Sequence, residues 1–399
     1  LHVESLVKAI NPQFAAPAGV IDLLVVAGEH SGDQHASRML HQWYERYPDT
    51  SPDRVAAMGG KELRKQVSSF LWDMTDHAVV GTVEVLRHYP FFRRLMKETV
   101  RWILQHKPAV ICLVDYPGFN LRLAAILRKR TQRGNYHPRI VYYISPQLWA
   151  WKSHRRFTMA RDLDSLSVIF PFETEVYRDT NLSVEYVGHP FVGTEVQYPV
   201  RYDPAGPILL LPGSRSGPVQ KIFPILARAF IQLRHHYADM QAVVLVPASA
   251  DTHRILTLWK EAGGTDGLSV KSVEDGVQGG RAVLTSSGTM SLYCALAGIP
   301  GAIIYRANPL TFWLGKKIVR IPWLGMVNIL LNRNAWPEFL QGNANPSVLK
   351  TFIQEILAHP TAPENYAGIA SELHDLLQPP QQGDVADWLQ RQLQSSAAQ

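Results

Sequence analysis

The sequence predicts an α/β protein made of two doubly wound parallel sheets, and three observations lead to that class. First, 399 residues with 46% hydrophobic and 19% charged side chains can bury sizeable cores; at about 100–200 residues per domain they fill two or three domains. Second, from residue 20 onward short Leu-rich or β-branched runs alternate with longer amphipathic stretches, which is βα alternation. Third, the alternation breaks between Gly193 and Pro207, a stretch with three prolines and two glycines, and then starts again.

The opening LHVESLVKAI carries Glu4 and Lys8 where a signal peptide needs its apolar core, so residues 1–20 read as an N-terminal extension without a leader. IDLLVVAG (21–28), VAAMGG (55–60), PAVICLVD (108–115), RIVYYIS (139–145), LSVIFPFE (166–173) and VEYVGHP (184–190) read as buried strands. The stretches Leu40–Tyr47 and Phe91–Gln105 read as helices, the second a crossover helix. Residues 21–195 are therefore one domain and residues 196–206 a linker. PILLLPGS (207–214), QAVVLVPAS (241–249), LSVKSV (268–273), RAVLTSSG (281–288) and PGAIIYR (300–306) repeat the pattern in a second domain, 207–355, followed by a helical end, 356–399. Near-continuous apolar strands imply parallel sheets covered by helices on both faces. Ligands of such sheets bind beyond the carboxyl ends of the strands, so two of them place their chemistry in a shared cleft.

Cys112 and Cys294 sit in apolar runs and read as small buried hydrophobes, a usage that fits a reducing cytoplasm. No window reaches the roughly 18–20 uninterrupted apolar residues of a membrane span. The net charge of +6 favours anionic partners. Zinc-ligand spacing, RNP-like aromatics and sustained basic runs are missing, so nucleic acid is not expected, and sugar phosphates and lipids remain. No DxD pair stands in a candidate loop; the nearest, in RDLDSL (161–166), falls where a helix leads into a strand, so no metal is expected.

Four loops carry the chemistry. In LLVVAGEHSGD a strand runs through Gly28 and Gly32 into a helix near Asp33; either the backbone closes on a ligand there, or this is a tight turn with Ser31 or Asp33 as N-cap. In LVDYPGFN, Asp115 ends a buried strand, where a partly desolvated carboxylate serves as general base or merely caps, and Asn120 is placed to N-cap the next helix. YYISPQLWAWKSHRR joins two tryptophans to Lys152, His154, Arg155 and Arg156, which suits a phosphorylated sugar and equally a hydrophobic cluster at a domain edge. In ILLLPGSRSG, Gly213, Ser214 and Arg215 offer backbone donors, a hydroxyl and a guanidinium to a diphosphate. Ser286, Ser287, Gly288 and Thr289 open a helix at the corresponding place, and the two loops together point to a nucleotide diphosphate.

Apolar side chains beside basic ones at residues 79–92 and 310–333 suit contact with an anionic bilayer surface, or a buried interface.

The motifs AGEHSGD, VVGTVEVL, VDYPGFN, YYISPQLWAW, IFPFE, YVGHP, LLPGSR, SSGT and NPLTFWLGKKIV, in this order, resemble the bacterial lipid-A-disaccharide synthase family. The resemblance implies an inverting, metal-independent glycosyltransferase of the GT-B type: two Rossmann-like domains facing a central cleft, with no cofactor, since the UDP-sugar is a substrate. It implies a UDP-linked acylated glucosamine donor and an acylated glucosamine 1-phosphate acceptor. It also implies peripheral attachment to the inner face of the inner membrane, and allows a homodimer. Asp115 would be the general base and Glu29 a second catalytic residue; Gly32, Asp33, Asn120, Gln147, Trp149 and His189 would belong to the acceptor side of the cleft. Gly213, Ser214, Arg215, the 286–289 loop, Tyr293, Asn328 and Arg333 would hold the donor, and Val79, Val80, Val83, Leu86, Tyr89, Phe91 and Phe92 would face the membrane. The chain's end would fold back on the first domain.

Departures fall mostly in the donor half. Tyr293 stands where such enzymes commonly carry a ribose-binding Glu, Pro218 where an acid is usual, and Asn332, Arg333 and Asn334 where Gly-Arg-Glu is frequent. These changes leave two alternatives beside the family reaction: a changed donor or acceptor, or a silent relative that binds glycolipid or nucleotide.

Overall fold

The computed structural model describes residues 12–75, 82–193, 196–308 and 322–397, the side chains of 82–89 and 397 aside. The chain forms two compact units: one runs to Pro190 and resumes at Pro379, the other runs from Phe191 to Gln378.

The first unit holds β1 (Leu23–Ala27), α1 (His30–Arg46), β2 (Val55–Gly59), α2 (Lys61–Arg64), β3 (Ser69–Asp73), α3 (Thr82–His106), β4 (Val110–Val114), α4 (Pro117–Thr131), β5 (Arg139–Tyr143), α5 (Arg155–Asp162), β6 (Ser165–Val168) and β7 (Ser183–Tyr186). Its strands lie parallel in the order β3-β2-β1-β4-β5-β6-β7. β1, β2 and β4 are buried along their whole length, as helices on both faces require. On one face Leu24, Val26, Ile111, Leu113 and Tyr142 pack with Leu95 and Ile103 of α3 and Leu123 and Leu127 of α4, so α3 is the expected crossover helix. Each such aliphatic side chain contributes roughly 1.5–3 kcal/mol by leaving water.

The second unit holds β8 (Val200–Tyr202), β9 (Ile208–Leu211), α6 (Ser216–Arg234), β10 (Ala242–Val246), α7 (Thr252–Glu261), β11 (Leu268–Ser272), β12 (Gln278–Gly280), β13 (Ala282–Ser286), α8 (Thr289–Leu296), β14 (Gly301–Tyr305), α9 (Met326–Leu331), β15 (Glu338–Leu340), α10 (Pro346–Ala358) and α11 (Ala362–Leu377). Its main sheet is parallel with order β11-β10-β9-β13-β14-β15. The last helix, α12 (Val385–Ala397), belongs to the first unit.

Every strand expected from the sequence is present with trimmed ends, and four others appear. SFLWD became β3, a half-exposed strand whose short alternation is weak as a pattern. VRY, QGG and EFL are three-residue strands too short to show a period. LSVIFPFE is strand only to Val168, because Pro171 opens a 3-10 turn in which the Glu173 carboxylate accepts from the Phe170 N–H at 3.2 Å.

Two domain boundaries need correction. The expected linker, 196–206, contains β8, which pairs in parallel with β12 inside the second unit. Of the expected returning segment, 356–399, α11 stays in the second unit against α8, beside α10 on α6. Only α12 returns, and it is held by Trp388, whose buried indole donates to Ser165 Oγ at 3.1 Å. Arg46 of α1 reaches Asp384 at 2.7 and 2.8 Å and Asp387 at 2.7 Å, and Tyr47 donates to Asp387 at 2.8 Å.

Candidate active site

β1 and β4 are neighbours, with Ala27 opposite Val114, and the chain leaves them toward opposite sides of the sheet. Such a switch point opens a crevice at the carboxyl edge of a doubly wound sheet. Gly28 and Glu29 follow β1, and Asp115 follows β4. Gly28 is required sterically, since a Cβ there would lie 2.0 Å from the Tyr116 ring. Gly32 brings the first turn of α1 beside Asp115, a Cβ at that position meeting Asp115 Cβ at 3.8 Å.

Asp115 and Tyr116 are consecutive left-handed residues with φ of 47° and 49°. For side chains larger than glycine this costs roughly 1–2 kcal/mol each, and it persists only where surroundings enforce it. The enforcement is visible: the Asp115 N–H donates to Tyr143 O at 3.0 Å, and its carbonyl accepts from Tyr142 OH at 2.6 Å and Asn120 Nδ2 at 2.8 Å. Pro117, with its preset φ, then opens α4. Burial pushes the Asp115 carboxyl up to about 6 and the charge of Glu29 adds to this, while the Tyr116 N–H works against both. A carboxylate so tuned is a stronger base than an ordinary one and still largely ionised at neutral pH.

Three other expected residues of this half, Asp33, Asn120 and His189, are buried. α1 begins at His30, so Asp33 lies in its first turn instead of capping it; the side chain is 1% exposed and accepts from the N–H groups of Gly60 (2.7 Å), Glu62 (3.0 Å) and Leu63 (3.0 Å). Asp33 thus caps α2, and Asp33→Ala is expected to lower stability by about 1–3 kcal/mol in thermal melts while turnover of the folded fraction holds. Asn120 is not an N-cap either, because α4 starts three residues earlier. Its buried amide ties the ends of β1 and β4 to the strained turn through Val26 O, Val114 O and Asp115 O. His189 is buried against Phe170, ring centroids 5.0 Å apart, and its pKa is lowered to about 3 by burial and then by His35. Gln147 is exposed, and Trp149 is half-buried edge-on to Phe172.

Among the residues expected to face a membrane, Val79 and Val80 lie outside the described residues, as do the side chains of Val83, Leu86 and Tyr89. Phe91 is corrected to a core residue, packed at 6.0 Å from Trp72, and Phe92 is half-buried against it. The 310–333 segment is described only from 322.

The second sheet repeats the arrangement. β9 and β13 are neighbours at its switch point, with Leu211 opposite Thr285. Gly213, at φ 110°, carries the loop after β9 close to Ser286, whose Oγ would be 3.2 Å from a Cβ at 213. Arg215 holds the N-cap position of α6 and Gly288, at φ 157°, that of α8; neither end has a side-chain cap. Ser214, Arg215 and Thr289 are exposed, Ser287 is half-buried, and Arg215 makes no ion pair among the described residues. Two helix ends without side-chain caps and an exposed guanidinium are groups of the kind that hydrogen-bond a diphosphate. Pro218, third in α6, removes one N–H from that set.

Three expected donor-side residues have partners within the second unit. Tyr293 stacks on Phe191 with centroids 3.9 Å apart and tilts against Tyr198 at 5.8 Å. Asn328 is fully buried: it donates to Trp336 O (2.7 Å) and Glu338 Oε1 (2.8 Å) and accepts from the Trp336 N–H (2.8 Å), which braces α9 to β15. Arg333 is held bidentately by Glu372 of α11 at 2.7 and 2.8 Å.

Among the described residues no group of three His, Cys, Asp or Glu could hold a metal ion. Among them also, no helix is long and apolar enough to cross a membrane.

Two doubly wound parallel units in one chain define the GT-B class. The solved glycotransferase of kitacinnamycin shares this fold, with a TM-score of 0.57 and 11% identity, over 94% of this chain and 100% of that one. Residues 23–373 match the lipid-A-disaccharide synthetase family, and the chain belongs to it. The lipid-A-disaccharide synthase of Geobacter sulfurreducens is 33% identical over 87% of this chain and 91% of its own length. Lipid-A-disaccharide synthase 1 of Legionella pneumophila strain Lens is 32% identical over 89% and 93%.

Tyr142, whose hydroxyl holds the Asp115 carbonyl, and Tyr116, which makes Gly28 obligatory, were not among the expected site residues. Their one sequence signal is their place in the YYIS and VDYPG motifs.

Proposed function

We propose that this chain joins UDP-2,3-diacylglucosamine to the 6-hydroxyl of 2,3-diacylglucosamine 1-phosphate, forming the β-1,6-linked disaccharide 1-phosphate and releasing UDP. The observation that carries the reading is Asp115, a carboxylate raised to about 6 on a strained turn at a switch point. Its carboxylate takes the 6-hydroxyl proton as that oxygen attacks the donor's anomeric carbon. The bond from that carbon to the diphosphate breaks, UDP leaves with the electron pair, and the centre inverts. Arg215 and the ends of α6 and α8 meet the charge that grows on UDP, an interaction strongest in the transition state. Glu29 keeps Asp115 basic by repulsion. No cofactor takes part in this reading.

Both sugars carry acyl chains, so the proposal extends to peripheral attachment at the inner face of the inner membrane, and to a homodimer. A second reading, a changed donor within the same fold, is favoured by the stacking of Tyr293 on Phe191 and by Pro218 in α6.

A mass-spectrometric endpoint assay with both lipid substrates in detergent separates the two. Disaccharide 1-phosphate supports the first reading; no product from folded protein removes it and directs a screen of UDP-sugars. Arg215→Ala is expected to lower kcat/KM by about 10²-fold, as loss of one donor to a developing oxyanion does.

A further inference from the structure

The loop after β5 and the start of α5 expose two large aromatic side chains, Trp151 at 52% and Phe157 at 51%. Each carries a cation on its face: Lys152 Nζ lies 4.2 Å from the Trp151 ring centroid, and Arg156 Cζ lies 4.2 Å from that of Phe157. Arg156 is neutralised by Asp179 at 2.7 and 2.5 Å. Lys152, His154 and Arg155 have no carboxylate within ion-pair distance among the described residues. The first turn of α5 carries no acid, although the positive end of a helix favours one. Lys152 and Arg155, without a carboxylate partner among the described residues, thus stand beside two rings left in water.

We propose that this cluster is a docking surface for an anionic lipid bilayer, the rings entering the headgroup layer and Lys152 and Arg155 meeting lipid phosphates. Charge complementarity argues for that occupant, since rings flanked by unpaired cations match an apolar layer under an anionic one. The fold gives the contact a purpose. β5 adjoins β4, and the loop leaves the same sheet edge from which Asp115 projects. Docking there would bring the base's edge to the membrane that holds the acylated sugars, so the inference rests on the lipid-substrate reading above.

The test is co-sedimentation of the full chain with phosphatidylethanolamine vesicles containing phosphatidylglycerol, against vesicles of phosphatidylcholine alone. Wild type is expected to bind the anionic vesicles, and less at high salt. Lys152→Gln with Arg155→Gln is expected to weaken binding by about fivefold per cation removed. Trp151→Ser with Phe157→Ser is expected to weaken it by about tenfold or more. All four sites are at least partly exposed, so unchanged melting temperatures keep folding out of the comparison. If wild type binds and both variants bind as well, the proposal fails while membrane attachment stands. If wild type binds neither vesicle, the surface belongs to something other than a bilayer, and the endpoint assay judges the reaction independently.

Discussion

Asp115→Asn is expected to reduce turnover by about 10²–10⁴-fold while leaving the fold and UDP binding intact. The amide keeps the shape of the carboxyl but cannot accept the acceptor's proton, and the strained turn is held by backbone bonds the substitution does not touch. Wild-type kcat/KM should rise with pH and level off above about 6, where Asp115 becomes ionised, and the residual rate of the variant should lack that limb. Stability supplies a second readout. The folded pKa lies above the ordinary 3.8, so the folded state holds this proton more tightly than the unfolded one. Stability is therefore lost as pH rises from about 4 to about 6, and the deficit stays constant above that. Asn removes it, so the variant should be more stable than wild type at pH 7 by roughly 1–3 kcal/mol, and no more stable below pH 4. Unchanged turnover would refute the base assignment, whatever the melting curves give.

The parts of this site legible in the sequence are those encoded locally. A carboxylate closing an apolar run before Pro117 and Gly118 announces a strand end, and PGSR and SSGT announce turns into helices, so Asp115, Arg215 and the 286–289 loop stand at the expected strand ends. What stayed hidden depends on partners far along the chain. Asp33 looks like an N-cap of its own helix, yet the N–H groups it serves lie 27 to 30 residues away. Asn120 has the right type and spacing for a cap, but Pro117 starts the helix first, and the amide turns to three carbonyls that only the β1–β4 pairing brings together. Asn328 sits in a motif that suggests a ligand, and its valences are taken by Trp336 and Glu338. Polar residues near a switch point divide into those that touch ligands and those that hold the crevice open, and spacing alone does not separate them. Tyr293 belongs to the same lesson, since nothing local foretells its stacking on Phe191.

The largest stability effect should come from the opposite end of the chain. Trp388→Ala removes a side chain with no exposed surface and its bond to Ser165, and truncating a buried aromatic costs about 3–5 kcal/mol. Against the roughly 5–15 kcal/mol that holds a domain together, that is about a fifth of the total or more. For a unit of this size the melting temperature should fall by about 10 °C. The loss should be confined to the first unit, because α12 packs on α1 and on β4, β5 and β6, whereas α10 and α11 pack within the second. Calorimetry should then show one transition moving down and the other staying. Arg391→Ala is the internal contrast: its pair with Glu185 at 2.7 Å is about a third exposed on both sides, and such pairs contribute roughly 0–1 kcal/mol. Since α1 begins beside Glu29 and β4 ends just before Asp115, activity of Trp388→Ala should vanish with the first transition and be near normal per folded molecule below it. If both transitions moved together, or neither did, α12 would not be the element that closes the first unit's core.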